Sequence, residues 1–317
     1  MLFRQTLALV PPLLALSSPT IESNLHARQA YSLVGTGFDN DTKILGNYYN
    51  YWSVLANGTV DLTRSNTVPV TTPKTLPMWG SRPEIIIEPT RSALVIIDMQ
   101  NYFLHPQLSP NATAGRAAVA PTVNTINGFR ANGMKVLWTN WGLTGYDRLT
   151  IPPAFLSSFS ANGFNTMGSN LNTQTFGGDM GTIVENGTII NVGRKLFRGA
   201  WNAEPYGVLK TMKDEGLAAG TDLYFNKNRF SGLWGPQTPL GLWLQENEIT
   251  TLFFGGVNTD QCVWGTLIDA YFKGYDVVFV DDICGTTSPQ FATDMCRYNA
   301  DLNGFLGNSS DILAALS

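Results

Sequence analysis

Leu252-Phe-Phe-Gly-Gly-Val-Asn-Thr-Asp-Gln-Cys262, continued by Val263-Trp-Gly-Thr-Leu-Ile-Asp-Ala-Tyr-Phe-Lys-Gly274, decides how the rest of the chain is read. A short apolar run with glycines at its end predicts a buried strand over Thr250 to Val257. The turn Gly255-Gly-Val-Asn-Thr259 follows, and amphipathic spacing predicts a helix from Cys262 to Lys273. A cysteine therefore stands where a strand feeds a helix N-terminus. Unpaired N–H groups in the first turn and the helix dipole favour negative charge there, so the thiol is expected to ionise more readily than a free cysteine. Cys262 is the candidate nucleophile.

The same alternation extends to both sides. Ala93-Leu-Val-Ile-Ile-Asp98 is a continuous apolar run ending in a carboxylate, which predicts a parallel strand buried on both faces. A helix is predicted from Ala114 to Ala131, with Ala118, Val119, Val123, Ile126 and Phe129 on its apolar face. Strands follow at Lys135 to Thr139, Asp222 to Lys227 and Asp276 to Asp281, and helices at Ala203 to Glu215, Thr238 to Asn247 and Pro289 to Gly304. Strands alternating with helices predict a doubly wound (Rossmann-like) three-layer α/β/α fold with a mainly parallel sheet, which binds ligands at the C-terminal ends of its strands. Asp98, Lys227 and Cys262 all fall at such ends.

Residues 91–317 make up this domain, interrupted from about 141 to 220 by a long Gly/Asn-rich insertion of the kind that builds lids and pockets. A short β element is expected there, at Thr182 to Val192. Residues 18–90 read as a β-rich N-terminal extension and connector. Within it, Tyr48 to Thr63 is expected to form a hairpin about Asn57-Gly58, a pair suited to the positive φ angles of a primed turn. The Met1–Ser17 leader has one early Arg, an apolar segment too short to span a bilayer and small residues at Ala15 and Ser17. It predicts a signal peptide and a secreted protein with no membrane anchor in its mature form.

The 317 residues are 44% hydrophobic and carry a net charge of −4, with no Lys/Arg cluster, so a nucleic-acid partner is excluded and a small-molecule substrate expected. Five glycosylation sequons, at Asn40, Asn57, Asn111, Asn186 and Asn308, suit a secretory route. Three cysteines leave an odd thiol: either Cys284 and Cys296 form a disulfide and Cys262 stays free, or all three are free. With two histidines, His26 and His105, neither a multi-histidine metal site nor a Ser/His/Asp hydrolase is expected.

A thiolate attacks a carbonyl or carbamoyl carbon if something stabilises it and something moves protons. Lys227 is the candidate fixed cation, Asp98 the candidate base, and the Gly255–Thr259 turn a source of N–H donors for an oxyanion. No cofactor is required. Ile96-Ile-Asp98-Met-Gln100-Asn-Tyr-Phe103, Lys227-Asn-Arg-Phe-Ser-Gly232 and Gly255-Gly-Val-Asn-Thr-Asp-Gln-Cys262-Val together resemble the isochorismatase-like cysteine hydrolase superfamily, in order and spacing, from about Arg91 to Thr287. The resemblance implies that Asp98, Lys227 and Cys262 act as a triad. It further implies a cis peptide between Val257 and Asn258, an oxyanion hole made of the Asn258 and Cys262 N–H groups, and a pocket position for Phe103.

Departures from the family pattern narrow the chemistry. Nicotinamidases of the superfamily carry an Asp-x-His metal motif after the second strand, where this chain reads Thr139-Asn-Trp-Gly-Leu-Thr-Gly-Tyr146. Well-known isochorismatases lack the nucleophilic cysteine that this chain retains. Hydrolysis of a C–N bond in a small amide, imide or carbamoyl compound through a thioester is therefore the leading expectation. Vinyl-ether hydrolysis with Asp98 as acid is the second, and a non-catalytic secreted binding protein the third. Trp141, Tyr146, Trp201 and Trp264 are candidates for an aromatic-binding pocket, with ordinary packing the alternative for each. Family members are often homo-oligomers, and no interface signature is visible in the sequence.

Overall fold

The computed structural model of the protein describes residues 35–36, 42–160 and 175–317. The leader, His26 and the Asn40 sequon lie outside the described residues. An N-terminal sheet is built from β1 (Gly35–Thr36), β2 (Lys43–Gly46), β3 (Tyr51–Val54), β4 (Val60–Asp61), β5 (Lys74–Pro77) and β6 (Glu84–Ile87), in the order β1-β2-β3-β4-β6-β5. β4 and β6 run parallel and the other pairs antiparallel. The hairpin about Asn57-Gly58 is present, but its loop differs from the primed turn expected. The Asn57 side chain accepts from the Thr59 N–H, and of this pair Gly58 alone takes a positive φ, 89°. Gly58 N donates to Leu55 O and Leu55 N to Thr59 O, giving a three-residue loop with a bulge.

The main sheet begins with β7 (Ser92–Ile97) and continues through the helices α1 (Asn101–Leu104), α2 (Thr113–Ala117) and α3 (Val119–Ala131) to β8 (Lys135–Trp141). The single helix expected after β7 is broken at Ala118, because Pro121 has no N–H to donate to the carbonyl four residues back. The insertion contributes α4 (Gly145–Thr150), α5 (Pro153–Ser158) and the hairpin β9 (Thr182–Glu185)–β10 (Thr188–Asn191). Pro205 and Gly207, with φ 56°, delay the next helix to α6 (Val208–Ala219), which ends on Gly220 in the left-handed conformation. Then come β11 (Asp222–Lys227), α7 (Pro239–Glu246), β12 (Thr251–Val257), α8 (Trp264–Phe272), β13 (Asp276–Gly285), α9 (Gln290–Asn303), β14 (Phe305–Gly307) and α10 (Ser309–Leu316). No described helix is long and apolar enough to cross a membrane.

Every pairing in the main sheet is parallel, in the order β11-β8-β7-β12-β13-β14. In sequence terms the first strand, β7, lies beside the fourth, β12, so the strand order reverses between them. That reversal opens a crevice at their C-terminal ends. Side chains alternate between the two faces. Leu94 and Ile96 of β7 join one apolar cluster with Ile126, Phe129, Trp138 and Phe253, while Ala93, Val95 and Ile97 join the other with Leu137, Phe254, Val263 and Leu267. This explains why β7 reads as an unbroken apolar run: both of its faces are covered.

The N-terminal sheet joins the domain at the opposite, N-terminal ends of these strands. Arg64 clamps Asp276 at the start of β13 through Nη1 at 2.8 Å and Nη2 at 2.9 Å, with both side chains buried. Trp52 Nε1 donates to the same carboxylate at 2.7 Å while its ring packs on Phe305. Arg82 donates to the carbonyls of Asp301 and Gly304 just ahead of β14.

Candidate active site

Asp98 follows the last residue of β7 and is fully buried. Its backbone takes φ 52°, a left-handed conformation uncommon for a residue with a Cβ, and its N–H donates to Asn140 Oδ1 at 3.0 Å. The turn aims the carboxylate back over the sheet edge. Oδ1 accepts the Trp141 backbone N–H at 3.0 Å, and Oδ2 lies 2.7 Å from Lys227 Nζ at the end of β11. Gln100 braces the arrangement, its Nε2 donating to Trp141 O at 2.8 Å and to Ala203 O at 2.7 Å. The lysine reaches across β8 to meet the aspartate, with Nζ over the Trp141 ring 4.1 Å from its centroid.

Cys262 comes from the other side of the crevice. The Val257–Asn258 peptide is cis, as the family resemblance implies, and the chain then makes one wide π-helical turn over Thr259–Val263 before α8 begins. The cysteine therefore sits within this turn, two residues ahead of the regular helix, and not at the helix start expected from the sequence. The glycines before it are steric requirements. Gly256 has φ 127°, and a Cβ there would stand 2.0 Å from Ile97 O, so only glycine lets β12 lie this close to β7.

The thiol lies against the Asp98 carboxylate and the Trp141 indole. Its ionisation corrects the expectation from the helix dipole: burial pushes the Cys262 thiol well up, Lys227 opposes this, and Asp98 adds to it. With the residue 2% exposed, loss of hydration outweighs the dipole of a helix whose regular part starts further on. Burial also raises Asp98, against the pull of Lys227. Thiol and carboxyl thus compete for one proton beside one ammonium, so a net-neutral cluster has either the thiol or the acid protonated.

An aromatic stack covers Trp141. Phe176 and Phe159 lie 4.9 and 5.3 Å from its ring, stacked on each other at 4.1 Å, and Phe230 closes the edge at 6.4 Å. Phe159 and Phe176 come from the insertion, which here forms a roof. A recess of about 180 Å³, lined by Thr139, Arg198, Asn228, Trp234 and Thr238 among others, adjoins Lys227; Cys262 does not line it.

The structure sorts the other candidates. Trp141 lies at the centre of the site, and Phe103 packs half-buried against the core, edge-on to Tyr102 at 4.9 Å. Trp264 packs half-buried against the core. Tyr146 is 73% exposed on α4 and Trp201 stacks edge-on against His105, so neither belongs to a pocket wall at the thiol. The considered Cys284–Cys296 disulfide is not formed. Both are free thiols, with Cys284 Sγ near Val280 O and Cys296 Sγ near Thr259 O. Asn57, Asn111 and Asn186 are exposed, whereas Asn308 accepts the Ser310 N–H at the start of α10. Where the metal motif would stand are Asn140, Trp141 and Gly142, and the described residues contain no cluster of three or more metal-ligating side chains. Reading the sequence alone overlooked Asn140. Its signal was an amide side chain inside a strand buried from Val136 to Trp141.

Residues 186–306 match the isochorismatase domain family. Among solved structures, a nicotinamidase from Bacillus subtilis is 21% identical and superposes with a TM-score of 0.50 over 69% of this chain and 99% of its own. An isochorismatase family protein from Desulfovibrio vulgaris subsp. vulgaris str. Hildenborough is 22% identical, with a TM-score of 0.52 over 71% and 98% of the two chains. A cysteine hydrolase from Pseudomonas syringae pv. phaseolicola 1448A is 16% identical, with a TM-score of 0.52 over 76% and 96%. Residues 186–306 thus match an isochorismatase domain, and the strand order of the main sheet gives this chain the fold of the isochorismatase-like hydrolases it resembles.

Proposed function

We propose that the protein is a secreted, cofactor-independent cysteine hydrolase that cleaves a C–N bond in a small amide, imide or carbamoyl compound. The observation that carries this reading is the buried convergence of Asp98, Lys227 and Cys262 in the crevice between β7 and β12, with Lys227 Nζ 2.7 Å from Asp98 Oδ2. In the proposed reaction Asp98 takes the thiol proton as sulfur attacks the carbonyl carbon. The oxyanion is received by the Asn258 and Cys262 N–H groups, a contribution of about 3 kcal/mol per donor. Asp98 then returns the proton to the leaving nitrogen as the C–N bond breaks. Water, activated by the same carboxylate, releases the acid from the thioester and restores the thiol.

Vinyl-ether hydrolysis would instead use Asp98 as the acid and need no thiol, whereas here a buried cysteine stands beside that carboxylate. Secretion rests on the leader read from the sequence, and the three exposed sequons are compatible with it. The test is turnover of a panel of amides, imides, carbamoyl compounds and isochorismate by the wild type and by Cys262→Ala. Loss of turnover in the variant, with a wild-type acyl-enzyme seen by mass spectrometry, supports the reading. Full turnover without the thiol removes it, and no turnover of any compound by the wild type favours a binding protein.

A further inference from the structure

Trp141 touches each of the other three groups at the site. Its backbone N–H donates to Asp98 Oδ1, its ring face carries the Lys227 ammonium, and its indole adjoins the Cys262 sulfur. The side chain is fully buried, yet its Nε1–H has no hydrogen-bond partner among the described residues. A buried donor without an acceptor is unfavourable. The other buried indole of this strand, Trp138, is satisfied by Asp222 at 2.7 Å. The roof of Phe159 and Phe176 keeps the Trp141 ring from turning to find another acceptor.

A neutral thiol is a weak acceptor, whereas a thiolate is a charged and much stronger one. We propose that the Trp141 indole N–H is a catalytic hydrogen-bond donor held for the Cys262 sulfur in its anionic state. At rest, beside the neutral thiol, the donor is unpaired. When the thiol proton passes to Asp98, the sulfur gains a full negative charge and the N–H binds it, without giving up its own proton. As sulfur bonds to the carbonyl carbon, the charge moves to the oxygen and the contact weakens. When the thioester is hydrolysed, sulfur leaves as thiolate and the same N–H receives it again. The donor therefore assists both halves of the cycle.

The inference rests on the proposed role of Cys262 as nucleophile, but its test does not need the substrate. Trp141→Phe keeps a ring under Lys227 and removes the N–H. Replacement of Trp141 by 3-benzothienylalanine keeps the whole bicyclic shape and exchanges N–H for sulfur. Native Cys262 is labelled with iodoacetamide between pH 7 and 10 and followed by peptide mass spectrometry. Both variants are expected to need a pH about one unit higher for the same labelling rate, a roughly tenfold loss at fixed pH, while labelling in denaturant is unchanged. A wild-type profile in the benzothienyl variant would overturn the proposal, because the shape would then account for all that Trp141 does. If turnover persists in Cys262→Ala, the hydrolase reading fails while the labelling result still reports on the N–H.

Discussion

Replacing Lys227 by methionine keeps the side-chain stem and removes the charge that faces Asp98. Both groups are buried, Asp98 completely, and they stand 2.7 Å apart. Taking one partner from a buried ion pair costs about 3–5 kcal/mol, because the remaining charge has neither water nor counterion. Losing that partner raises Asp98 further, because burial raises it already and Lys227 holds it back. The sign follows from proton linkage. The folded variant holds the Asp98 proton to higher pH than the unfolded chain does, so the contribution of the neutral carboxyl is complete below its unfolded value. It is lost as pH rises through the folded one. Lys227→Met is therefore expected to be less stable than wild type by about 3 kcal/mol or more at pH 8, with the difference shrinking by at least about 1 kcal/mol at pH 5. Urea unfolding followed by tryptophan fluorescence at the two pH values measures it. An equal difference at both, or less than about 1 kcal/mol at pH 8, would refute the reasoning.

Gly256→Ala places a Cβ 2.0 Å from Ile97 O on backbone with φ 127°, so the variant is expected to fold poorly or to lose more than about 3 kcal/mol by chemical denaturation. Arg64→Met leaves Asp276 with two neutral donors, from Trp52 and Thr251, and is expected to cost about 3–5 kcal/mol; a loss under about 1 kcal/mol would show that the clamp is dispensable. Native wild-type Cys262, raised by burial, is expected to react with iodoacetamide more slowly at pH 7 than a small free thiol does, and faster labelling would contradict its assigned environment. Glu88 is opposed by burial but held below the usual carboxylate range by hydrogen bonds from Thr71, Thr90 and Thr72. Its contribution is lost as pH falls through that lowered value, so Glu88→Gln is expected to flatten the acid limb of the stability profile.

The parallel domain was legible because its central strands are buried on both faces and therefore read as apolar runs of the right length, closed by a charged or turn residue. Asp222 to Lys227 coincides with the observed strand at both ends. Helix boundaries were less legible. Pro121 and Gly207 act through the carbonyls they leave unsatisfied and the φ angles they permit, which apolar periodicity does not register. The three candidate catalytic side chains could be read from their strand-end positions. Their electrostatics could not, because whether a thiol is raised or lowered depends on how completely the roof removes water. That roof comes from Phe159 and Phe176 in an insertion without a periodic pattern. A polar residue in a buried strand marked Asn140 as unusual, but its role depends on a contact with the Asp98 backbone, which position in the chain does not give.

The N-terminal sheet described above has one further consequence. Val60, Leu62, Leu76, Ile85 and Ile87 belong to the same apolar cluster as Leu94, Ile126, Phe253 and Phe305. The segment before Arg91 is therefore a wall of the α/β core and not a separable neighbour, despite the proline-rich connector that invites a cut there. Trimming the chain to its hydrolase-like portion would bare one side of that core and release the carboxylate of Asp276 from its clamp, at the end of the sheet farthest from the thiol. For protein engineering, the start of the domain has to be set by shared burial and not by where the family motifs begin.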